Sequence, residues 1–145
     1  MNKLPNGLIA IVKRDCPTCT LVEPVLQQLT ANEMSLTVYT QDDPAFPADI
    51  PNVIDDTSLE VSYRLSIETV PTLIRVEQGQ EVERIVGWNR TEWATFTGTK
   101  GLGKDLPDFR PGCGSKSVEP GIAEELEIRF GGRKQRLAAN SVSGR

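Results

Sequence analysis

Two cysteines separated by two residues, in the run Cys16-Pro17-Thr18-Cys19, are the side chains of this sequence best suited to chemistry. Thiols at this spacing can close a small-ring disulfide, and the apolar residues that follow predict a helix beginning at Pro17. The unpaired N–H groups and the dipole at a helix N-terminus favour a negative charge, so we expect a lowered pKa for Cys16. The Cys16 thiolate would attack a disulfide, and Cys19, one turn further on and more buried, would resolve the resulting mixed disulfide.

The rest of the composition limits the alternatives. The chain has no histidine, which excludes Ser-His-Asp and Cys-His catalysis and zinc sites that contain histidine. A Cys-x-x-Cys pair can also be half of a zinc site, but a tetrahedral site needs four ligands and the sequence offers only Cys113 as a further cysteine. We therefore expect no metal and no cofactor, and we keep a metal carrier that uses Cys16, Cys19 and Cys113 as an alternative.

The first half of the chain predicts a strand–helix–strand unit around the cysteine pair. Leu8 to Val12 is a short apolar run rich in β-branched residues, which is typical of a buried strand. Apolar residues recur at helical spacing from Thr18 to Ala31, with Pro24 inside the helix, and Leu36 to Thr40 alternates like a strand. A helix of this length suits a right-handed crossover, so the two strands should be parallel.

The second half predicts a helix, a hairpin and a closing helix. Residues 42–56 are rich in proline and aspartate and are predicted to form a loop. The elements predicted after this loop are a helix capped by Thr57 or Ser58 and ending near Leu65, a hairpin of Thr72–Val76 with Val82–Trp88, and a helix at Asn89–Phe96. The predicted order is β-α-β-α-β-β-α, which describes an α/β domain over residues 1–98.

Four features of this domain, taken together, resemble the thioredoxin superfamily over roughly residues 6–98. They are the Cys16–Cys19 motif between strand and helix, Pro24 within the helix, the run Val70-Pro71-Thr72, and Gly87 at the end of the last strand. The resemblance implies a minimal thioredoxin-like α/β fold, with a central four-stranded mixed sheet flanked by helices. The sequence departs from thioredoxins at Ala10 and Asp15, where those proteins carry a buried acid and a tryptophan.

The resemblance also implies roles for single residues. Cys16 and Cys19 would be catalytic, and the residues expected to bind substrate are Pro17, Thr18, Val70 and Pro71. The Val70–Pro71 peptide bond would be cis and would face the cysteines, with the backbone of Val70 pairing with substrate.

The activity implied by the resemblance is thiol–disulfide oxidoreduction, in the direction of a protein disulfide reductase. The substrate would be a protein or small-molecule disulfide, the electron donor a thiol reductase, and the substrate range narrow because of Ala10 and Asp15. The alternative is a non-catalytic thioredoxin-fold module that docks a partner protein through its C-terminal tail.

Residues 99–145 form a predicted C-terminal extension, partly disordered, with a short helix near residues 120–130. This extension is basic, with 9 Lys/Arg against 6 Asp/Glu, whereas residues 1–98 hold 7 against 14. Cys113 lies between Arg110 and Lys116, which should favour its thiolate. We consider two roles for Cys113: an auxiliary thiol that exchanges with the Cys16–Cys19 pair, or a bystander.

A stripe of apolar residues marks the predicted helix of the extension. Its members, spaced by four, are Ile122, Leu126 and Phe130. This face would either dock a partner or pack on its own domain.

The overall composition is that of a globular protein. The net charge of −4 argues against broad electrostatic binding to nucleic acid or to an anionic membrane. The apolar run at Leu8–Val12 is too short for a secretory signal, and no run has the length of a membrane span. We expect a monomer in the cytoplasm, where structural disulfides are rare.

Overall fold

The computed structural model describes residues 4–131, which adopt a mixed α/β fold. The strands, in chain order, are Gly7–Val12 (β1), Leu36–Thr40 (β2), Val53–Asp55 (β3), Thr69–Val70 (β4), Thr72–Glu77 (β5), Gln80–Val86 (β6), Trp88–Asn89 (β7), Phe109–Arg110 (β8) and Cys113–Gly114 (β9). The helices are Pro17–Ala31 (α1), Glu60–Arg64 (α2), Arg90–Thr97 (α3) and Ile122–Phe130 (α4), with a 3-10 turn at Lys116–Val118.

The central sheet has five strands in the order β3-β2-β1-β5-β6. β1 runs parallel to β2, as predicted, and β2 runs parallel to β3. β5 is antiparallel to both β1 and β6, so the predicted hairpin is also confirmed. Every residue of β1 after Gly7 is buried, because this strand lies in the middle of the sheet.

The predicted four-stranded sheet is wrong by one strand. β3 lies inside the segment predicted to be a loop, and it pairs with β2 at the edge of the sheet. Val53 and Ile54 are its apolar residues, and Ile54 is 42% exposed. Such a short, half-exposed strand between proline and aspartate residues leaves almost no hydrophobic pattern in the sequence.

Helix α2 starts later than predicted, at Glu60, and its N-cap is Leu59 rather than Thr57 or Ser58. The backbone N–H groups of Val61 and Ser62 donate instead to the carboxylate of Asp56, at 2.9 Å each. A carboxylate outside the helix therefore satisfies the unpaired donors of its first turn.

Residues that follow α3 continue to contribute to the main hydrophobic core. The domain boundary predicted at Gly98 coincides with the C-cap of α3, where Gly98 has a left-handed φ of 69°. Beyond it, Leu102 is fully buried in the main hydrophobic cluster. A Cβ at Gly103 would lie only 2.6 Å from the Trp88 ring. Glycine is therefore required for the backbone to approach the ring this closely.

Helix α4 packs on α2 of the same chain through its predicted stripe. Leu126 is buried, and the Phe130 ring lies 6.1 Å from the ring of Tyr63. The Tyr63 hydroxyl donates to the Glu127 carboxylate at 2.5 Å. Of the two roles considered for this face, packing on its own domain is the one the structure contains. Most of the segment predicted to be disordered, residues 132–145, lies outside the described residues.

Candidate active site

Cys16 is the N-cap of helix α1, at the point where the chain leaves β1 and turns. The turn is held by Asp42, whose carboxylate accepts the backbone N–H groups of Arg14 and Asp15 at 2.7 and 2.9 Å. Cys16 has extended backbone geometry, and its sulfur accepts the backbone N–H of Cys19 at 3.1 Å. The sulfur thus takes the place that a serine or aspartate oxygen fills at an ordinary helix N-terminus.

The two cysteines of the motif have opposite ionisation behaviour. A hydrogen bond from the Cys19 side chain is the largest cause that lowers the pKa of Cys16, and despite the opposing effect of burial that pKa falls to about 6. Burial and the neighbouring Cys16 thiolate raise the pKa of Cys19 far above that of a free thiol. At neutral pH Cys16 is therefore a thiolate, as the sequence predicts, and Cys19 is a thiol.

The predicted Val70–Pro71 motif lies beside Cys16. The peptide bond between Val70 and Pro71 is cis, as the family resemblance implies. The Val70 carbonyl oxygen is 3.8 Å from the Cys16 sulfur. Pro71 is held in turn by the backbone N–H of Gly87, which donates to its carbonyl at 2.8 Å, and Gly87 has a left-handed φ of 70°.

Cys113 lies against Cys16, although 97 residues separate them in the chain. The two sulfurs are 2.8 Å apart. β9 pairs antiparallel with β4, so that Cys113 is the register partner of Val70. The structure therefore gathers three thiols around one helix N-terminus, with Cys16 in contact with both others.

Cys113 does not have the thiolate character predicted from Arg110 and Lys116. Its pKa is raised, mainly by burial and then by the hydrogen bond with Cys16, so the prediction is wrong. The cation that does lower the pKa of Cys113 is Lys13, whose Nζ donates to the neighbouring Gly114 carbonyl at 2.8 Å. The two predicted cations flank Cys113 in sequence, but the folded chain brings a different one to it.

Residues 109–118, here called the covering segment, lie over the cysteines. The Thr18 hydroxyl donates to the Pro111 carbonyl at 2.6 Å. Cys16 is only 2% exposed and Cys19 is fully buried. Of the residues predicted to bind substrate, Thr18 and Val70 thus contact the chain's own covering segment, Pro71 is buried, and Pro17 is exposed.

A buried polar network, which sequence reasoning missed, fixes the end of the covering segment. The Gln41 side chain is 1% exposed and donates to the hydroxyls of Ser62 and Ser115 at 2.9 and 2.8 Å. It also accepts the backbone N–H of Lys116 at 3.0 Å. The Ser117 hydroxyl donates to the Ile67 carbonyl at 3.1 Å. A single glutamine at the end of a strand carries no sequence signal for such a role.

Comparisons with known proteins and with general site patterns add three findings. No protein-family model and no curated protein sequence significantly matches this chain. Within residues 4–131, no group of three or more His, Cys, Asp or Glu side chains is arranged to hold a metal ion. None of the helices in that same range is long and apolar enough to cross a membrane.

Proposed function

We propose that this chain is a thiol–disulfide oxidoreductase of the thioredoxin-like type. It would act as a reductase on the disulfide of a protein or small molecule, in the cytoplasm, with a thiol reductase as its electron donor. The observation that carries the proposal is the position of Cys16 at the N-cap of α1, where its sulfur accepts the backbone N–H of buried Cys19 at 3.1 Å. The lowered pKa of Cys16 and the raised pKa of Cys19 agree with this geometry. A thiolate beside a protonated thiol is the arrangement needed for attack followed by resolution.

The reaction begins with the Cys16 thiolate. It attacks one sulfur of the substrate disulfide, a new sulfur–sulfur bond forms, and the other substrate sulfur leaves as a thiolate. Cys19 then attacks the Cys16 sulfur, so the substrate leaves as its second thiol and a Cys16–Cys19 disulfide remains. The donor thiols return this disulfide to the dithiol.

Deprotonation of Cys19 is coupled to the first step. The neighbouring Cys16 thiolate is one of the causes that raise the pKa of Cys19, and that negative charge disappears when the mixed disulfide forms. Cys19 therefore becomes easier to ionise when its attack is required. The backbone N–H of Lys13, 3.5 Å from the Cys19 sulfur, is placed to stabilise the thiolate, and buried Ala10 supplies no acid.

The test uses the Cys113→Ser variant, in which the Cys-x-x-Cys pair is the whole thiol content. The reduced variant is mixed with one equivalent of an aromatic disulfide such as 5,5′-dithiobis(2-nitrobenzoate), and release of the coloured thiol is followed over time. We expect both halves of the reagent to be released and a Cys16–Cys19 disulfide to appear in peptide mass mapping. The control is Cys113→Ser combined with Cys16→Ser, which should react slowly and leave an adduct on Cys19.

Turnover is measured separately with insulin and dithiothreitol. Acceleration by the native chain or by Cys113→Ser over dithiothreitol alone supports the proposal. A persistent adduct on Cys16 together with no insulin turnover would overturn it and favour the non-catalytic module that docks a partner protein. The metal-carrier alternative predicts bound metal in protein purified under reducing conditions.

A further inference from the structure

The covering segment pairs with the edge of β4, beside Cys16, where the proposed function would place a substrate. The inference rests on that proposed function. β9 adds to β4 as an antiparallel strand, with Val70 opposite Cys113 and Thr69 opposite Gly114. Strand addition of this kind is a general way for a protein to hold an extended peptide. The chain therefore presents a cysteine-containing strand of its own to Cys16.

The contacts on both sides of Cys113 set its position. On one side the Thr18 hydroxyl binds the Pro111 carbonyl, and on the other Lys13 binds the Gly114 carbonyl. The backbone N–H of Ser115 donates to the Glu68 carbonyl at 3.0 Å, which continues the pairing beyond the cysteine. A bystander thiol on a loose loop would lack this set of contacts.

Gly112 has no side chain, and this allows the covering segment to pack closely against β4. A Cβ at this position would lie 2.5 Å from the Val70 carbonyl oxygen and 2.5 Å from the Thr69 side chain. Among residues 4–131, no heavy atom lies within 4 Å of the Cβ position at Gly114, apart from those of Gly114 itself and its two chain neighbours. The two glycines that flank Cys113 thus differ, since only Gly112 must lack a side chain for the cysteine to reach Cys16.

We propose that Cys113 forms a reversible disulfide with Cys16, as an internal substrate that alternates with Cys19. In the oxidised protein the Cys113 thiol gives its proton to solvent, and its thiolate attacks the Cys16 sulfur. The Cys16–Cys113 bond forms and the Cys16–Cys19 bond breaks. The electron pair leaves on the Cys19 sulfur, which takes up a proton, so the exchange needs no outside oxidant or reductant.

A small-molecule disulfide produces the same bond from the reduced protein. The Cys16 thiolate attacks the reagent and releases its first half as a thiolate. The Cys113 thiolate then attacks Cys16 and releases the second half. Two thiols of the protein are oxidised and one disulfide of the reagent is reduced.

The decisive experiment uses Cys19→Ser in the full-length chain, which retains Cys16 and Cys113. The reduced variant receives one equivalent of 5,5′-dithiobis(2-nitrobenzoate), and peptide mass mapping locates the product. We expect a Cys16–Cys113 disulfide whose closure, followed as release of the second half of the reagent, has a first-order rate independent of protein concentration. A lasting adduct on Cys16 in this variant would overturn the inference. If Cys19→Ser keeps that adduct while Cys113→Ser closes its Cys16–Cys19 bond, the proposed function stands and the inference falls.

The native chain gives a second measurement that does not depend on a folded variant. After reaction with one equivalent of the same reagent, the remaining free thiol is alkylated in acid-quenched, denatured protein. We expect a mixture in which some molecules carry the label on Cys19 and others on Cys113. Labelling of Cys113 alone would mean that the Cys16–Cys113 bond is not populated, and would contradict the inference.

The glycines supply a matched pair of variants in the Cys19→Ser background. Gly112→Ala should slow the closure of the Cys16–Cys113 disulfide by about tenfold, because the added methyl group pushes the strand away from β4. Gly114→Ala should close at the unchanged rate, because its methyl group enters open space. Equal rates for the two variants would show that strand position does not control the bond.

Discussion

Cys19 and Cys113 each bring a sulfur to Cys16, but the regions that carry them are built differently. Cys19 sits three residues away in α1, so the pitch of one helix sets its position and its sulfur is fully buried. Cys113 arrives from 97 residues away on a short strand, held by separate contacts along the covering segment. One position is set by local backbone geometry, and the other by strand pairing and side-chain contacts from distant parts of the chain.

This difference means that the two disulfides proposed for Cys16 should respond independently to substitutions. Losing one contact of the covering segment should change where Cys113 lies without changing the helix that carries Cys19. Weakening the segment should therefore shift the competition toward the Cys16–Cys19 bond. Three changes test whether the two bonds are controlled independently, ordered from the largest expected effect on stability to the smallest.

Replacing Gln41 by leucine should have the largest effect. The change removes the acceptor of the Lys116 N–H and the donor to Ser62 and Ser115, and unsatisfied buried groups should lower the free energy of unfolding by about 3 kcal/mol. Closure of the Cys16–Cys113 disulfide should slow, while closure of Cys16–Cys19 keeps its rate. Urea denaturation and the thiol-release kinetics measure the two effects.

Gln27→Leu is the matched control for that change. The Gln27 side chain donates to the Ala48 carbonyl at 2.9 Å in an exposed part of α1. Its loss should change the free energy of unfolding by less than about 0.5 kcal/mol. If Gln41→Leu slows both disulfides equally, the covering segment is not independent of the helix.

The pH dependence of stability separates the thiols by their ionisation. From about pH 6 to the ordinary thiol pKa of 9.0, folded Cys16 has lost its proton and unfolded Cys16 has kept it. The unfolded state then binds more protons, so the free energy of unfolding of the reduced protein should rise with pH, by at most about 1.4 kcal/mol per pH unit. The chain has no histidine to obscure this rise.

Above the ordinary thiol pKa the sign reverses. Cys19 and Cys113 have raised pKa values, so they keep protons in the folded state that the unfolded state has lost. Stability should therefore pass through a maximum near pH 8 to 9 and then fall. Urea denaturation of the reduced protein across pH 5.5 to 10 would detect it. Cys16→Ser should lose the rise, and Cys113→Ser should keep the rise but fall less steeply.

Thr18→Val should have the smallest effect. Valine keeps the shape of threonine but cannot donate to the Pro111 carbonyl, which should cost about 1 kcal/mol of the free energy that holds the covering segment. In the singly oxidised protein, the label on Cys19 should decrease relative to the label on Cys113. Thr20→Val, at an exposed position of the same helix, should leave this ratio unchanged.

The residues around Cys16 and Cys19 could be predicted because their placement is local. Helical periodicity sets α1, and the position of Pro17 marks its first turn, so the cap and the lowered pKa of Cys16 follow from adjacent residues. The family resemblance predicts the cis bond at Val70–Pro71, and this bond is present in the structure. These features depend on patterns within a few residues of each other.

The position of Cys113 could not be predicted, because it depends on contacts between distant parts of the chain. β9 has two residues, too few for an alternating pattern. The Lys13 side chain binds β9 at Gly114, and the Gln41 side chain binds the residues that follow it, but both look like ordinary surface residues in the sequence. β3 was missed for the same physical reason. A strand of two or three residues is stabilised by its neighbour in the sheet rather than by its own pattern.

Because β9 already pairs with the edge of β4, any other disulfide-containing peptide must reach a threshold concentration before it can take the place of β9. A tethered strand competes at its effective concentration, which is millimolar for a short flexible link and higher for one already held in place. A free peptide that is present at micromolar levels and uses the same backbone contacts would rarely displace it. Under the proposed function, partners that also bind elsewhere on this protein would gain access, and the chain's own strand would favour large, specific substrates.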